Sequence, residues 1–392
     1  MSEDALADYS PVFFERQGAA CDHRAVLCEK SELLGESRAA RRSFLARGLD
    51  MKQVISLLFL AVVSSFAADR PSFAADRPRL LVLTDIGGDP DDQQSMIRLM
   101  VYANEFEIEG LIATAPGSPG KEKKPRPDLI RKIVRAYGKV RLNLSRHAGG
   151  WPLAENLERS IKSGNPQRGR GSIGEGKDTE ASRWIIERID AGTPERPLNL
   201  VIWGGQTDLA QAMWRVMRDR KSDGFAEFVQ RFRVYDIADQ DGIADWLRSE
   251  FPGMTYILTK ASTGDMRNAT FRGMYLGGDE SLTAREWIMA RVRSKGPLGA
   301  LYPLKTWTSP NPHEAMKEGD TPSWFFFLPA GGNDPNDPSH PGWGGQFQRE
   351  ADGWYRDQPA RAGFDPCGTV SRWRPAFQAD FARRMSWCVD GE

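Results

Sequence analysis

The chain has 392 residues, 40% of them hydrophobic and 27% charged, so it carries enough apolar material for one large domain or two ordinary ones and is neither a disordered tail nor a mini-protein. Its 53 Lys and Arg balance 53 Asp and Glu, which removes the global field that would draw it onto nucleic acid or an anionic membrane. A small neutral or polar ligand fits better, and with no CxxC pair and little His, a zinc site is unsupported.

The first 78 residues read as address and processing. Residues 1–50 form an N-terminal extension, and from Met51 the order is Lys52, an apolar stretch from Val54 to Phe66, then Ser65-Phe66-Ala67, the order of a signal peptide. The apolar stretch is shorter than the ~20 residues a spanning helix needs, so no stable membrane anchor is expected. SFAADRP occurs twice in succession, as a spacer, and cleavage is expected after Ala67 or Ala74. One reading takes Met51 as the initiator; the other takes Arg41-Arg42-Ser43-Phe44-Leu45 as a twin-arginine signal. Both place the protein in the periplasm or outside the cell.

From residue 79 onward, a single domain extends to 392. Apolar runs predict strands at Arg79–Thr84, Phe106–Thr114, Val140–Leu144, Leu198–Trp203, Phe232–Ile237, Tyr256–Thr259 and Phe325–Leu328. Helical spacing predicts helices over Asp92–Tyr102, Pro127–Tyr137, Thr179–Ile189 and Leu209–Met217. Alternating elements of this kind predict an α/β fold, a three-layer α/β/α arrangement with a mainly parallel central sheet. Ligands then sit beyond the carboxyl ends of the strands. The loops Pro116–Pro127, Gly164–Lys177 and Gly331–Gly345 are long enough to be lids or binding loops.

The first strand runs into Asp85-Ile86-Gly87-Gly88-Asp89-Pro90-Asp91-Asp92. Four carboxylates in eight residues repel one another unless a cation compensates. Oxygen ligands of this type suit Ca²⁺, or less well Mg²⁺, and the glycines let the carboxylates converge. The plainer alternative, an Asp-rich turn capping the next helix, accounts for one or two of the four. Near the carboxyl end, Trp373, Phe377, Phe381 and Met385 mark a helix starting near Pro375. Cys367 and Cys388 flank it, and export to an oxidising compartment implies that they pair as a disulfide; the alternative is two unpaired buried thiols.

The stretch LLVLTDIGGDPDDQQSMIRLMVYANEFEIEGLIAT resembles the amino-terminal signature of the inosine-uridine nucleoside hydrolases. KVRLNLSRHAGGWPLA, NLVIWGGQTDLAQA, GDTPSWFFFL, GWGGQF and RWRPAFQADFARRM, in that order over about 80 to 388, are similar to the secreted branch of that superfamily described as cellulose-binding. The resemblance implies a nucleoside-hydrolase-like fold and hydrolysis of a glycosidic bond, N-glycosidic above all, assisted by Ca²⁺. It implies Asp85 as metal ligand and as base for the attacking water, Asp92 as close ligand, and Asp91 on substrate hydroxyls. Asp89, in an apparent two-residue insertion, shares any of these roles. The carbonyl of Thr207 and the carboxylate of Asp320 are the implied distant ligands. The family's sugar-binding stretch falls near Arg233-Val234-Tyr235-Asp236, which makes Asp236 a substrate contact, before the similar-looking Asp239-Gln240-Asp241. Where the family has the His that protonates the leaving base, this chain has Gly319.

A rival reading is a binding module for carbohydrate on a degenerate hydrolase fold, with Trp324 and its counterparts Trp307, Trp343 and Trp354 stacking on sugar rings. A haloacid-type phosphatase needs a second Asp two residues after the first, where Gly87 stands. Oligomeric state is not legible.

Overall fold

Residues 77–117, 124–261, 266–306 and 311–389 are described in the computed structural model. The N-terminal extension, the signal peptide and spacer up to 76, and Trp307 lie outside them.

The first strand shows why the sheet is where it is. In β1 (Arg79–Thr84), Leu80 and Val82 enter one apolar core while Leu81 and Leu83 enter another, the alternation expected of a strand covered on both faces. The other strands are β2 (Glu107–Ala113), β3 (Ile161–Ser163), β4 (Leu198–Trp203), β5 (Phe232–Ile237), β6 (Thr255–Thr259), β7 (Phe347–Arg349) and β8 (Tyr355–Asp357). They form a sheet in the order β3-β2-β1-β4-β5-β6-β8-β7. Every pairing is parallel except β7 with β8.

Helices α1 (Asp91–Met100) and α2 (Pro127–His147) pack on one face; α3 (Glu180–Asp190) and α4 (Gln206–Val229) pack on the other. The short α5 (Thr321–Phe325) and the long α6 (Arg374–Ser386) return to the first face. This is the expected three-layer fold. No helix among the described residues is long and apolar enough to cross a membrane.

Two expected strands are not strands: one is helical and the other is a helix end followed by a turn. Val140 and Leu144 continue the buried face of α2 begun by Ile130, Ile133, Val134 and Tyr137, and that three-and-four spacing overrides the β-propensity of the short apolar run. Phe325–Leu328 ends α5 and the turn after it; Pro322 at the helix start favours the helix, and all four residues are buried.

The disulfide is also corrected: Cys367 and Cys388 are free and buried. Cys367 precedes the short helix Gly368–Ser371, where its thiol donates to the carbonyls of Arg267 (3.1 Å) and Ala269 (3.3 Å). Cys388 lies beyond the far end of α6, whose 13 residues span about 20 Å, whereas bridged Cα atoms stay within about 7 Å. Burial pushes both thiols up to about 12.

Asp357, at the end of β8, is fully enclosed and accepts from the Thr270 amide (2.8 Å) and the Thr259 hydroxyl (3.3 Å). Burial pushes its carboxyl up to about 7, so the native state holds this proton more tightly than the unfolded chain does. Its contribution is complete below the unfolded value, near pH 4, and is lost as pH rises through about 7. Urea unfolding should therefore show stability declining over that window by on the order of a few kcal/mol, and Asp357→Asn should flatten the decline. A slope unchanged in the variant would assign it to other groups.

Candidate active site

The acidic loop starts where β1 ends. The Gly88 amide donates to the Asp85 carbonyl at 3.2 Å, and Gly87 turns the chain at φ 105°, a conformation that favours glycine. Pro90 then caps α1, whose first two residues are Asp91 and Asp92. The turn thus brings all four aspartates to the carboxyl edge of the sheet. Gly204, at the end of the neighbouring β4, makes room: a β-carbon there would lie 2.9 Å from the Asp85 side chain.

Asp85, Asp89, Asp91, Asp92 and Asp320 line one cavity of roughly 200 Å³, with Ile237, Ala238, Gln240, Phe271, Arg272 and Lys317 completing its wall. Within it, oxygens of Asp91, Asp92 and Asp320 lie within 4.8 Å of one another. Asp92 accepts from the Thr84 hydroxyl, and its carboxyl is held well above the usual range by burial, then by the facing carboxylates Asp85, Asp320 and Asp91. Burial, then Asp91, does the same to Asp320, whose Oδ2 is buried without a hydrogen-bond partner. Crowded carboxylates with an oxygen left unpaired in a polar cavity fit a hard divalent cation.

Asp85 adjoins this trio, its carboxyl group within hydrogen-bonding reach of Asp92, and has an anchor of its own. Its Oδ2 accepts from the Gly117 amide at 3.1 Å and from the guanidinium of Arg168 at 2.5 Å. Burial raises its carboxyl above the ordinary value in spite of Arg168, so it stays at the cavity wall as a comparatively basic group. Arg168 comes from the long loop 164–177 and is braced by the carbonyls of Ala115 and Gln240 and by Asp241. Asp89 and Asp91 meet the ammonium of Lys317 at 2.8 and 3.0 Å.

A buried network fixes the segment that brings Lys317 and Asp320. Arg98, on α1, pairs with Glu318 in a bidentate fashion through its Nε and Nη2, and neither side chain is exposed. Tyr302 and Thr321 donate to the same carboxylate, and Gln94 accepts from the amides of Lys317 and Glu318. Glu318 adopts φ 44°, a left-handed conformation that these contacts hold in place. The next residue, Gly319, packs under Phe271: a β-carbon would sit 3.3 Å from its ring and 3.5 Å from Asp91.

Three residues expected at the site are elsewhere. Thr207 is in the first turn of α4, where its amide and hydroxyl donate to Asp241 at 2.8 and 2.6 Å, and it is not among the residues that line the cavity. Asp236 is fully buried, bonded to Gln206 (2.6 Å) and Tyr256 (2.8 Å). Strand alternation turns it away from the cavity and gives the wall Ile237 instead. Trp324 is core, packed on Tyr102, Phe106 and Phe325.

Of the remaining tryptophans named for stacking, Trp354 is buried on Tyr256 and Trp343 packs on Phe325 and Phe377. The segment 239–241, which sequence similarity set beside Arg233–Asp236, is the one that reaches the site, through Gln240 on the wall and Asp241 behind it. Lys317, Arg168, Arg272 and Phe271 carried no sequence signal beyond their loops.

A family model for the cellulose-binding Sde182, nucleoside hydrolase-like domain matches residues 79–347. The chain belongs to the Sde182 nucleoside hydrolase-like family. Among solved structures, it is similar to a nucleoside hydrolase-related hypothetical protein from Saccharophagus degradans that is associated with carbohydrate metabolism. The two are 32% identical over 81% of this chain and 73% of that one, with a TM-score of 0.64. No curated protein matches the sequence. The Sde182-like match takes in the acidic loop and Asp320, the whole carboxylate side of the cavity.

Proposed function

We propose that the protein is an exported hydrolase of glycosidic bonds, N-glycosidic above all, that works with a divalent cation, Ca²⁺ before Mg²⁺, at the acidic cavity. The observation that carries this reading is the trio Asp91, Asp92 and Asp320 with the unpaired Oδ2 of Asp320. These three would hold the cation, and Ca²⁺ accepts such carboxylate-rich, irregular ligation more readily than Mg²⁺. When bound, the cation supplies Lewis-acid activation of a water nucleophile.

The chain's own residues do the rest. Asp85 accepts the proton of the attacking water, and Arg168 keeps its carboxylate in position. Arg272 and Gln240 offer N–H donors to sugar hydroxyls from the cavity wall, while Phe271 and Ile237 close its apolar side. As water adds to the anomeric carbon, the bond to the leaving group breaks and the leaving atom departs with the electron pair. Gly319 supplies no proton to it. Activated leaving groups such as nitrophenol should therefore react fastest.

A second reading, carbohydrate binding without turnover, is favoured by Lys317, which already neutralises part of the acidic cluster. Against a flat cellulose-stacking face stands the absence of an aromatic among the exposed large apolar side chains of the described residues, which are Leu142, Leu153 and Met289.

Calorimetry with Ca²⁺ and a turnover screen on nucleosides and nitrophenyl glycosides, each with and without chelator, separate the two. One ion per chain and chelator-sensitive turnover are expected. Absence of divalent binding would overturn the hydrolase reading, and retention on carbohydrate without product would establish the second.

A further inference from the structure

At the opposite end of the sheet from the acidic cavity, the amino-terminal ends of β5, β6 and β8 frame a larger hollow of about 550 Å³, within the size range of small-molecule sites. Arg233, second residue of β5, Arg248, from the helix Ala244–Glu250, and Arg349, last residue of β7, all line it, and Asp352 is the one acidic group in its wall. That carboxylate is already engaged. Arg248 reaches it at 2.7 Å and Arg356 at 3.2 Å, so its negative charge is shared by two guanidinium groups.

The other two arginines are not neutralised by contact. Arg233 is half-buried and donates to the neutral side-chain oxygen of Asn336; burial lowers its pKa, with Asp334 nearby as the counter-charge. Arg349 is exposed, and its guanidinium makes no hydrogen bond or ion pair among the described residues. Tyr355 adds aromatic surface to the same wall, with the buried Trp354 beside it. A hollow with a surplus of guanidinium forks is suited to a planar or tetrahedral oxyanion, which such forks grip through paired, charge-assisted hydrogen bonds.

We propose that this hollow binds a small ligand bearing an oxyanion, the carboxylate of an acidic sugar or a phosphate ester, with Arg233 and Arg349 as its principal donors. The site is independent of the acidic cavity. Its ligand is set by charge, whereas the carboxylate cavity repels the same groups.

Thermal shift and calorimetry on the full chain, without divalent cation, test this with inorganic phosphate, glucuronate and glucose. Phosphate or glucuronate should bind and glucose should not, and added salt should weaken the binding. Phosphate alone would identify a phosphorylated ligand, glucuronate alone an acidic sugar, and both together the shared oxyanion chemistry. Affinity should fall at least tenfold in Arg349→Gln, an exposed position whose change leaves the fold intact, and in Arg233→Gln. It should persist within twofold in Asp92→Asn, which alters only the acidic cavity. Binding of neither oxyanion, equal binding of glucose, undiminished affinity in Arg349→Gln, or loss of binding in Asp92→Asn would each overturn the proposal.

Discussion

Asparagine at position 85 should lower kcat by about two to four orders of magnitude, the range lost when a general base is removed. The amide keeps the shape of the carboxylate but cannot accept the proton of the attacking water. Because Asp91, Asp92 and Asp320 remain to hold the ion, Asp85→Asn should lose more of the turnover than of the Ca²⁺ affinity. Asp92→Ala should lose both, along with the thermal stabilisation that a bound ion gives by mass action. Steady-state kinetics on a nitrophenyl glycoside, with calorimetry on the same samples, measures this split. An Asp85→Asn enzyme as active as the parent would remove Asp85 from the chemistry.

The second large effect is on stability. Arg98 and Glu318 are wholly enclosed, and removing one member strands the other charge away from water, a loss of about 3–5 kcal/mol. Glu318→Gln and Arg98→Met should each show it in chemical denaturation. The double variant should cost less than the sum, since it leaves no uncompensated charge. Glu318 lies between Lys317 and Asp320, so the single variants should also weaken Ca²⁺ binding in the fraction that remains folded. A change below about 1 kcal/mol in either would show that the pair is not what holds this segment.

The layered fold was legible because strands such as Arg79–Thr84 are continuous apolar runs and helices such as α1 keep their apolar residues on one side. Val140–Leu144 misled because five residues are too few to distinguish period two from period 3.6 once the rest of the helix is ignored. At the site, the aspartates announce themselves by density, and Asp320 by similarity to the family.

Lys317 and Arg168 do not announce themselves: a basic residue in a polar loop looks the same whether it faces solvent or a carboxylate 83 positions away, as Arg168 does. Asp236 and Trp324 show the converse. Each has the right chemistry for a sugar site, yet strand direction and core packing place it behind the wall.

Gly319 beneath Phe271 also couples two positions at the cavity wall. The family resemblance implies a histidine at this point, but here a β-carbon would already lie 3.3 Å from the aromatic ring, which must yield by a few tenths of an ångström before a longer side chain can follow. Reinstating the imidazole alone would push that ring aside, and trimming Phe271 alone would open a void with nothing to fill it. Each change alone is therefore expected to cost stability, and the two together less than their sum, because the space one needs is the space the other releases.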